Sequence, residues 1–395
     1  MSEFFKRTWA EINLDAVEHN LTAIRGQLKP ETMVCCVVKA DAYGHGAEML
    51  AAEYERLGAN WLAVSNLEEA LQLRNAGIQL PILILGYTPP CCAEELNRLN
   101  ITQTILSAEY AQKLSAEAVS ANVTVRAHIK LDTGMSRIGF VYQNQARDAR
   151  VIGEIAEACK LPGLNTEGIF THFAVADEGD DGKEYTLAQY GSFTKAVSLL
   201  EQRGIKFRIR HCANSAAVLD YPEMQMDMVR PGIILYGWLP SPQVHNKISL
   251  IPVMELKSIV SMVKTVKPQT SVSYGRRFVT EQETTIATVP IGYADGYPRG
   301  LYVQGSMLVH GRRAKIIGRV CMDQLMLDVS AIPDVREGDT VTVIGRDGHN
   351  EITADELADY SGTINYELVC MISKRVPRVY FKGGSQVGEL NYLCK

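Results

Sequence analysis

Lys39 ends an apolar run, residues 34–38, within the segment VVKADAYGHG at 37–46. A lysine there, beside Gly44 and Gly46, has two readings. It is a solvated strand-end residue, or an amine that forms a Schiff base after partial desolvation beside positive charge. On Lys39 alone the first is the commoner. Asn214 and Ser215 precede a helix-like run, where a hydroxyl and helix N-terminal amides suit a phosphate. They serve equally as an ordinary N-cap. Gly232 and Ile233 offer backbone amides to the same phosphate, or simply fill a strand. Asp132, Arg137, His172 and Arg230 also follow or close apolar runs. His45, His128, His172 and His211 with Asp132 raise a metal hydrolase as a rival. No H-x-H or H-E-x-x-H spacing supports it, and no metal is expected.

The elements that must carry these residues alternate. Apolar runs at 34–38, 61–64, 82–85, 102–106, 123–131, 164–171, 207–211 and 228–236 read as strands. Between them lie amphipathic stretches at 46–57, 67–76, 108–119, 143–159 and 185–203, with apolar residues three and four apart. Strands alternating with helices predict a (β/α)8 barrel, a TIM barrel. A doubly wound sheet gives a similar string, but no G-x-G-x-x-G follows the first strand. In a barrel, polar residues after strands gather at one face, the C-terminal end, where active sites form. Past residue 242 the texture changes to short β-rich runs separated by turns, with one helix capped by Thr353. The reading is therefore an α/β protein: a barrel over 1–242 and a mostly-β domain over 243–395. The last stretch, 381–395, is expected to be a disordered end.

Composition narrows the class. A net charge of -5 with no Lys/Arg-rich run leaves no footprint for nucleic acid. Nine cysteines, an odd count with two adjacent pairs and no C-x-x-C, suit free thiols in a reducing cytosol. No run of 18 or more apolar residues exists, so no membrane span is expected and the chain reads as cytoplasmic.

The segment at 37–46 closely resembles the pyridoxal phosphate signature of alanine racemases. The resemblance continues through KLDTGMSRIG (130–139), GIFTHF (168–173), NSA (214–216), VRPGIILYG (229–237), VSYG (272–275), PIGYADG (290–296), GRVCMDQ (318–324) and TINYE (363–367). It implies an isomerase that interconverts L- and D-alanine and supplies D-alanine for peptidoglycan. It also implies a head-to-tail homodimer with shared active sites. By resemblance Lys39 is the Schiff-base lysine and one base, and Tyr274, from the partner subunit, is the other. Arg137 and the Met322 backbone contact the substrate carboxylate. Tyr43, Ser215, Gly232, Ile233 and Tyr366 hold the phosphate, with Asn214 beside them. Arg230 faces the pyridine nitrogen, with His172 behind it. Lys130 matches a lysine carbamylated in many relatives. Tyr293 and Tyr366 match an entrance constriction, and Cys321 and Asp323 flank Met322. Taken alone, Tyr274 is an ordinary strand tyrosine, and Cys321 and Met322 are core residues of a hairpin.

These roles fit the chemistry. Two bases, one on each face of the α-carbon, exchange its proton without rotating the substrate. An arginine at the pyridine nitrogen cannot readily give up a proton, which weakens the ring as an electron sink and restrains transamination. A decarboxylase of the same fold would lack the VSYG tyrosine. A pyridoxal phosphate carrier would be a lone barrel. Serine racemases of this fold can differ at the position of Tyr366, which favours alanine and leaves serine open.

Overall fold

The computed structural model describes residues 6–144 and 146–394. Two units divide the chain. One holds Val17–Ala42 and Ala47–Ile251; the other holds the described residues of 1–16, 43–46 and 252–395.

The first unit is a barrel. Among the described residues its sheet follows the order Met228–Val229, Met33–Val37, Trp61–Val64, Ile82–Ile84, Ile101–Ile105, Val125–Asp132, Leu164–Phe170, Ile209–His211, every pair parallel. The two outer strands of that order face each other. Asp227 donates its N–H to Arg210 O at 3.1 Å and Arg230 to Ala213 O at 2.9 Å, which nearly closes the ring. Trp61–Val64 and Ile101–Ile105 are buried throughout, as strands covered on both faces must be. The helices outside obey their caps. Ser107 Oγ accepts from Tyr110 N at 3.1 Å to open Ala108–Ser120, and Asn66 Oδ1 from Glu69 N at 2.9 Å to open Leu67–Asn75.

One expected strand is cut short. The run at 228–236 forms strand only at Met228–Val229, and Ile233–Tyr236 is a 3-10 turn. Pro231 has no N–H and a fixed φ, so the ladder stops there.

The second unit is mostly β. Its largest sheet runs Met262–Val266, Thr284–Val289, Leu325–Asp328, Arg312–Ile316, Ser306–Val309, Thr340–Asp347, Met254–Ile259, Thr8–Asn13, Arg378–Lys382, Ser385–Leu390. Met254–Ile259 alternates buried and half-buried positions, with Met254, Leu256 and Ser258 inward. Thr8–Asn13 lies inside this sheet, antiparallel to Met254–Ile259 and parallel to Arg378–Lys382. Residues 6–16 therefore belong to the β unit. Thr353 Oγ1 accepts from Glu356 N at 3.0 Å and caps the helix Ala354–Ser361 as expected.

The chain end corrects another expectation. Ser385–Leu390 pairs antiparallel with Arg378–Lys382 across Gly383 and Gly384, both at positive φ. A Gly-Gly turn with positive φ at both residues matches the twist of a hairpin, so these residues are ordered strand. Among the described residues no helix is long and apolar enough to cross a membrane.

Candidate active site

Lys39 follows the first barrel strand, Met33–Val37, and opens an unusual turn. Ala40, Asp41, Ala42 and Tyr43 all have φ between 52° and 55°, and Gly44 has φ 80°. Left-handed backbone costs an L-residue about 1–2 kcal/mol, so this run persists only because its surroundings hold it. Glu69 does much of that. Its Oε1 accepts from Ala40 N and its Oε2 from Ser65 N, each at 2.7 Å. Asp41 Oδ1 accepts from Ala47 N at 2.9 Å. The turn thus sets the backbone on which the Lys39 side chain stands.

Arg230, just past the last barrel strand, is buried and held through both terminal nitrogens. Nη1 donates to His211 Nδ1 at 2.8 Å; Nη2 donates to Thr171 O at 2.8 Å and Cys212 O at 3.2 Å, with His172 Nδ1 at 3.4 Å. Its guanidinium lies 5.2 Å from the Phe170 ring centroid. Burial lowers its pKa to about 10, so it stays cationic at neutral pH. His211 Nε2 reaches His128 Nδ1 at 2.9 Å. Burial first, then the Arg230 charge, holds His172 and His211 well below the usual histidine range.

Lys130 lies on the strand Val125–Asp132, donates to Leu131 O at 2.8 Å, and sits 5.6 Å from the Phe170 ring centroid. Burial lowers its pKa to about 7; Asp132 opposes the shift, and Arg230 and Arg137 add to it. Asp132 Oδ1 accepts from Gly134 N and Ser136 N at 3.0 Å, shaping the loop that ends in the exposed Arg137. Ser215 Oγ accepts from Gly232 N at 2.8 Å, and Asn214 Oδ1 from Ala217 N at 3.1 Å. The first of these bonds brings the Ser215 hydroxyl beside the Gly232 and Ile233 backbone, the groups an anion needs, and an anion bound there would take the Gly232 N–H over from Ser215 Oγ.

The β unit holds the remaining residues. Tyr43 and Tyr366 rings lie 6.1 Å apart, and burial pushes the Tyr43 hydroxyl well above its ordinary range. Tyr274 is 67% exposed, on a turn with Ser273 at φ 63° and Gly275 at φ 73°. Ser273 Oγ donates to Arg319 O at 2.6 Å and lies 3.5 Å from Cys321 Sγ. Tyr274, Cys321, Met322 and Asp323 line one cavity of about 760 Å³. Met322 is 52% exposed, so it is not the core residue that its apolar type suggested. Apolar atoms supply more than half of a folded protein's accessible surface, so an apolar type does not by itself place a residue inside. Tyr293 is 43% exposed and opens the 3-10 turn Tyr293–Asp295.

The structure thus gathers Lys130, His172, Asn214, Ser215, Arg230, Gly232 and Ile233 in the barrel unit, where Lys39 and Arg137 also lie. It gathers Tyr43 with Tyr366, and Tyr274 with Cys321, Met322 and Asp323, in the β unit. Sequence reasoning missed Glu69 under the Lys39 turn and the link from Arg230 through His211 to His128. The histidines were visible as residues, but nothing in their spacing joined them.

Comparison with known proteins matches both halves. The family described as alanine racemase, N-terminal domain, matches residues 12–240, and that described as alanine racemase, C-terminal domain, matches 253–380. An alanine racemase of Desulfovibrio desulfuricans is 49% identical, over 96% of this chain and 100% of that protein. Alanine racemase 1 of Clostridium acetobutylicum is 46% identical over 100% of both. Among solved structures, an alanine racemase of Bacillus anthracis with bound L-Ala-P superposes with a TM-score of 0.92 at 38% identity, covering 99% of each chain. One of Clostridium difficile superposes at 0.93 and 42%, covering 99% of this chain and 100% of that one. With both domain families matched in order along nearly its whole length, this chain belongs to the alanine racemase family.

Proposed function

We propose that the chain racemises alanine with pyridoxal phosphate, as a cytoplasmic head-to-tail homodimer with shared active sites. The observation that carries this reading is the setting of Arg230, a buried cation held by His211 Nδ1 and two carbonyls among the strand ends that follow Lys39.

The residues fit the cofactor by the chemistry of their donors. Ser215 Oγ and the amides of Gly232 and Ile233, with Tyr43 and Tyr366, suit its phosphate, with Asn214 fixing the helix start. Arg230 suits its pyridine nitrogen, and Lys39 would carry it covalently. When bound, pyridoxal phosphate makes the α-proton of an amino acid acidic by drawing the bonding pair toward its ring.

The protein supplies the rest. Lys39 moves the proton on one face, and Tyr274 of the partner subunit moves it on the other. Arg137 and the Met322 N–H of the partner subunit hold the substrate carboxylate, with Cys321 and Asp323 shaping that turn. Tyr293 and Tyr366 narrow the entrance. Arg230 keeps its proton, so side chemistry that needs a fully protonated ring is restrained.

Complementation tests the shared site. Lys39→Ala and Tyr274→Phe homodimers are each expected to be inactive. Refolded together in equal amounts, they recover about a quarter of wild-type activity, because half the dimers are mixed and each mixed dimer has one intact site. No recovery contradicts the shared site.

A further inference from the structure

Cys321 and Met322 rest on a neighbouring turn through backbone alone. Tyr293 donates its N–H to Cys321 O at 3.1 Å, and Ala294 donates to Met322 O at 3.0 Å. A Cβ on Gly292 would stand 2.3 Å from Met322 O and 2.4 Å from Cys321 O, so the seating needs glycine there. Both carbonyls are taken, and among the described residues the Met322 N–H has no acceptor.

That turn depends on one carboxylate. Asp295 is fully buried and accepts from Gly292 N at 3.0 Å through Oδ2. Arg7 grips it with both ends of the guanidinium: Nη2 to Oδ1 at 2.5 Å and Nη1 to Oδ2 at 3.3 Å. Nη1 also donates to Pro290 O at 2.7 Å. Arg7 immediately precedes Thr8–Asn13, a strand paired along both edges, and its own carbonyl accepts from Ser258 Oγ at 2.8 Å. On the other flank, Arg375 Nη1 donates to Asp323 Oδ1 at 2.8 Å, and its Nε lies 3.9 Å from Asp295 Oδ1. Asp295 O accepts from Ser373 N at 3.0 Å.

We infer that Arg7 and Asp295 are positioning residues for substrate carboxylate recognition, fixing the turn on which the Met322 amide is seated. This rests on the proposed role of that amide. The physical reason is that a buried carboxylate stripped of its partner is costly, so the turn shifts to rehydrate it and carries Met322 along. A displacement near 1 Å at a recognition group costs up to about a hundredfold.

The test uses the holoenzyme as wild type, Arg7→Gln, Arg7→Lys and Gly292→Ala. KM and kcat are measured for L- and D-alanine, together with inhibition by propionate, a carboxylate that cannot react, and Tm. Arg7→Gln is expected to raise KM for both enantiomers and the propionate inhibition constant by about tenfold, with kcat within about threefold of wild type. Arg7→Lys, which restores the charge, recovers part of the loss. Gly292→Ala moves KM and propionate inhibition in the same direction. If Arg7→Gln lowers only Tm, with KM and propionate inhibition unmoved, the inference is overturned and the proposed function stands. If the wild type itself racemises neither enantiomer, the functional reading falls, and this inference with it.

Discussion

Arg230 donates from Nη1 to Nδ1 of His211 at 2.8 Å. That bond makes Nδ1 an acceptor, so the His211 proton sits on Nε2 and points to His128 Nδ1, 2.9 Å away. The His128 proton then falls on its own Nε2, a buried atom with no partner among the described residues. A chain of neutral imidazoles behind a cationic guanidinium cannot take the Arg230 proton at neutral pH.

The chain has a consequence for acid stability. Burial, with help from Arg208 and Arg230, lowers the His128 pKa from 6.5 to about 3. A folded pKa below the unfolded one means the unfolded chain binds the extra proton first. This contribution is therefore fully present above pH 6.5 and is lost as pH falls from there toward 3. His128 alone contributes a slope of about 1.4 kcal/mol per pH unit in that window. Urea unfolding of His128→Gln between pH 6.5 and 4 should give a slope shallower by about that amount. An unchanged slope rejects the neutral buried His128.

Arg230→Lys keeps a charge but loses the fork. Lysine has three donors but on one nitrogen, whereas His211 Nδ1 is bonded from Nη1 and Thr171 O and Cys212 O from Nη2, so the shorter, single-centred group leaves buried acceptors poorly paired. Stability is expected to fall by about 2–3 kcal/mol by chemical denaturation. Cofactor affinity, followed by absorbance titration, is expected to fall with it.

The left-handed turn after Lys39 carries measurable strain. Ala40 is exposed at φ 52°, and its N–H, which bonds Glu69, survives replacement by glycine. Ala40→Gly is expected to stabilise the folded chain by about 1 kcal/mol, read as a higher Tm. A fall in Tm contradicts the strained conformation.

Lys130, with its pKa lowered to about 7, is partly a neutral amine near neutral pH. A neutral amine adds to carbon dioxide, forming an N–C bond and releasing one proton. Wild-type protein equilibrated with carbon-13 bicarbonate should show a protein-bound carbamate signal by NMR. It should fade as pH drops below 7 and be absent in Lys130→Arg.

Much of this was legible from sequence, and the gaps have a common cause. The barrel strands announced themselves because parallel strands covered on both faces are continuous apolar runs, as in Trp61–Val64. The polar residues after them followed from barrel geometry. Thr8–Asn13 was overlooked because its partners lie far along the chain, Thr8 against Ser258 and Ala10 against Arg378. Arg7 and Asp295 are separated by 288 positions, so no local pattern could pair them. Met322 misled because its type is apolar while its place is exposed. The end of the chain was a missed local signal, since Gly383-Gly384 between two strand-like runs is a hairpin turn.

The most direct measurement follows the α-proton. Incubate the holoenzyme with L-alanine in deuterated water and follow α-deuteration and D-alanine together. Two-base racemisation predicts that D-alanine appears carrying deuterium at the α-carbon, and that Lys39→Ala abolishes both signals. D-alanine that retains the original proton throughout, or no D-alanine from the wild type, contradicts it.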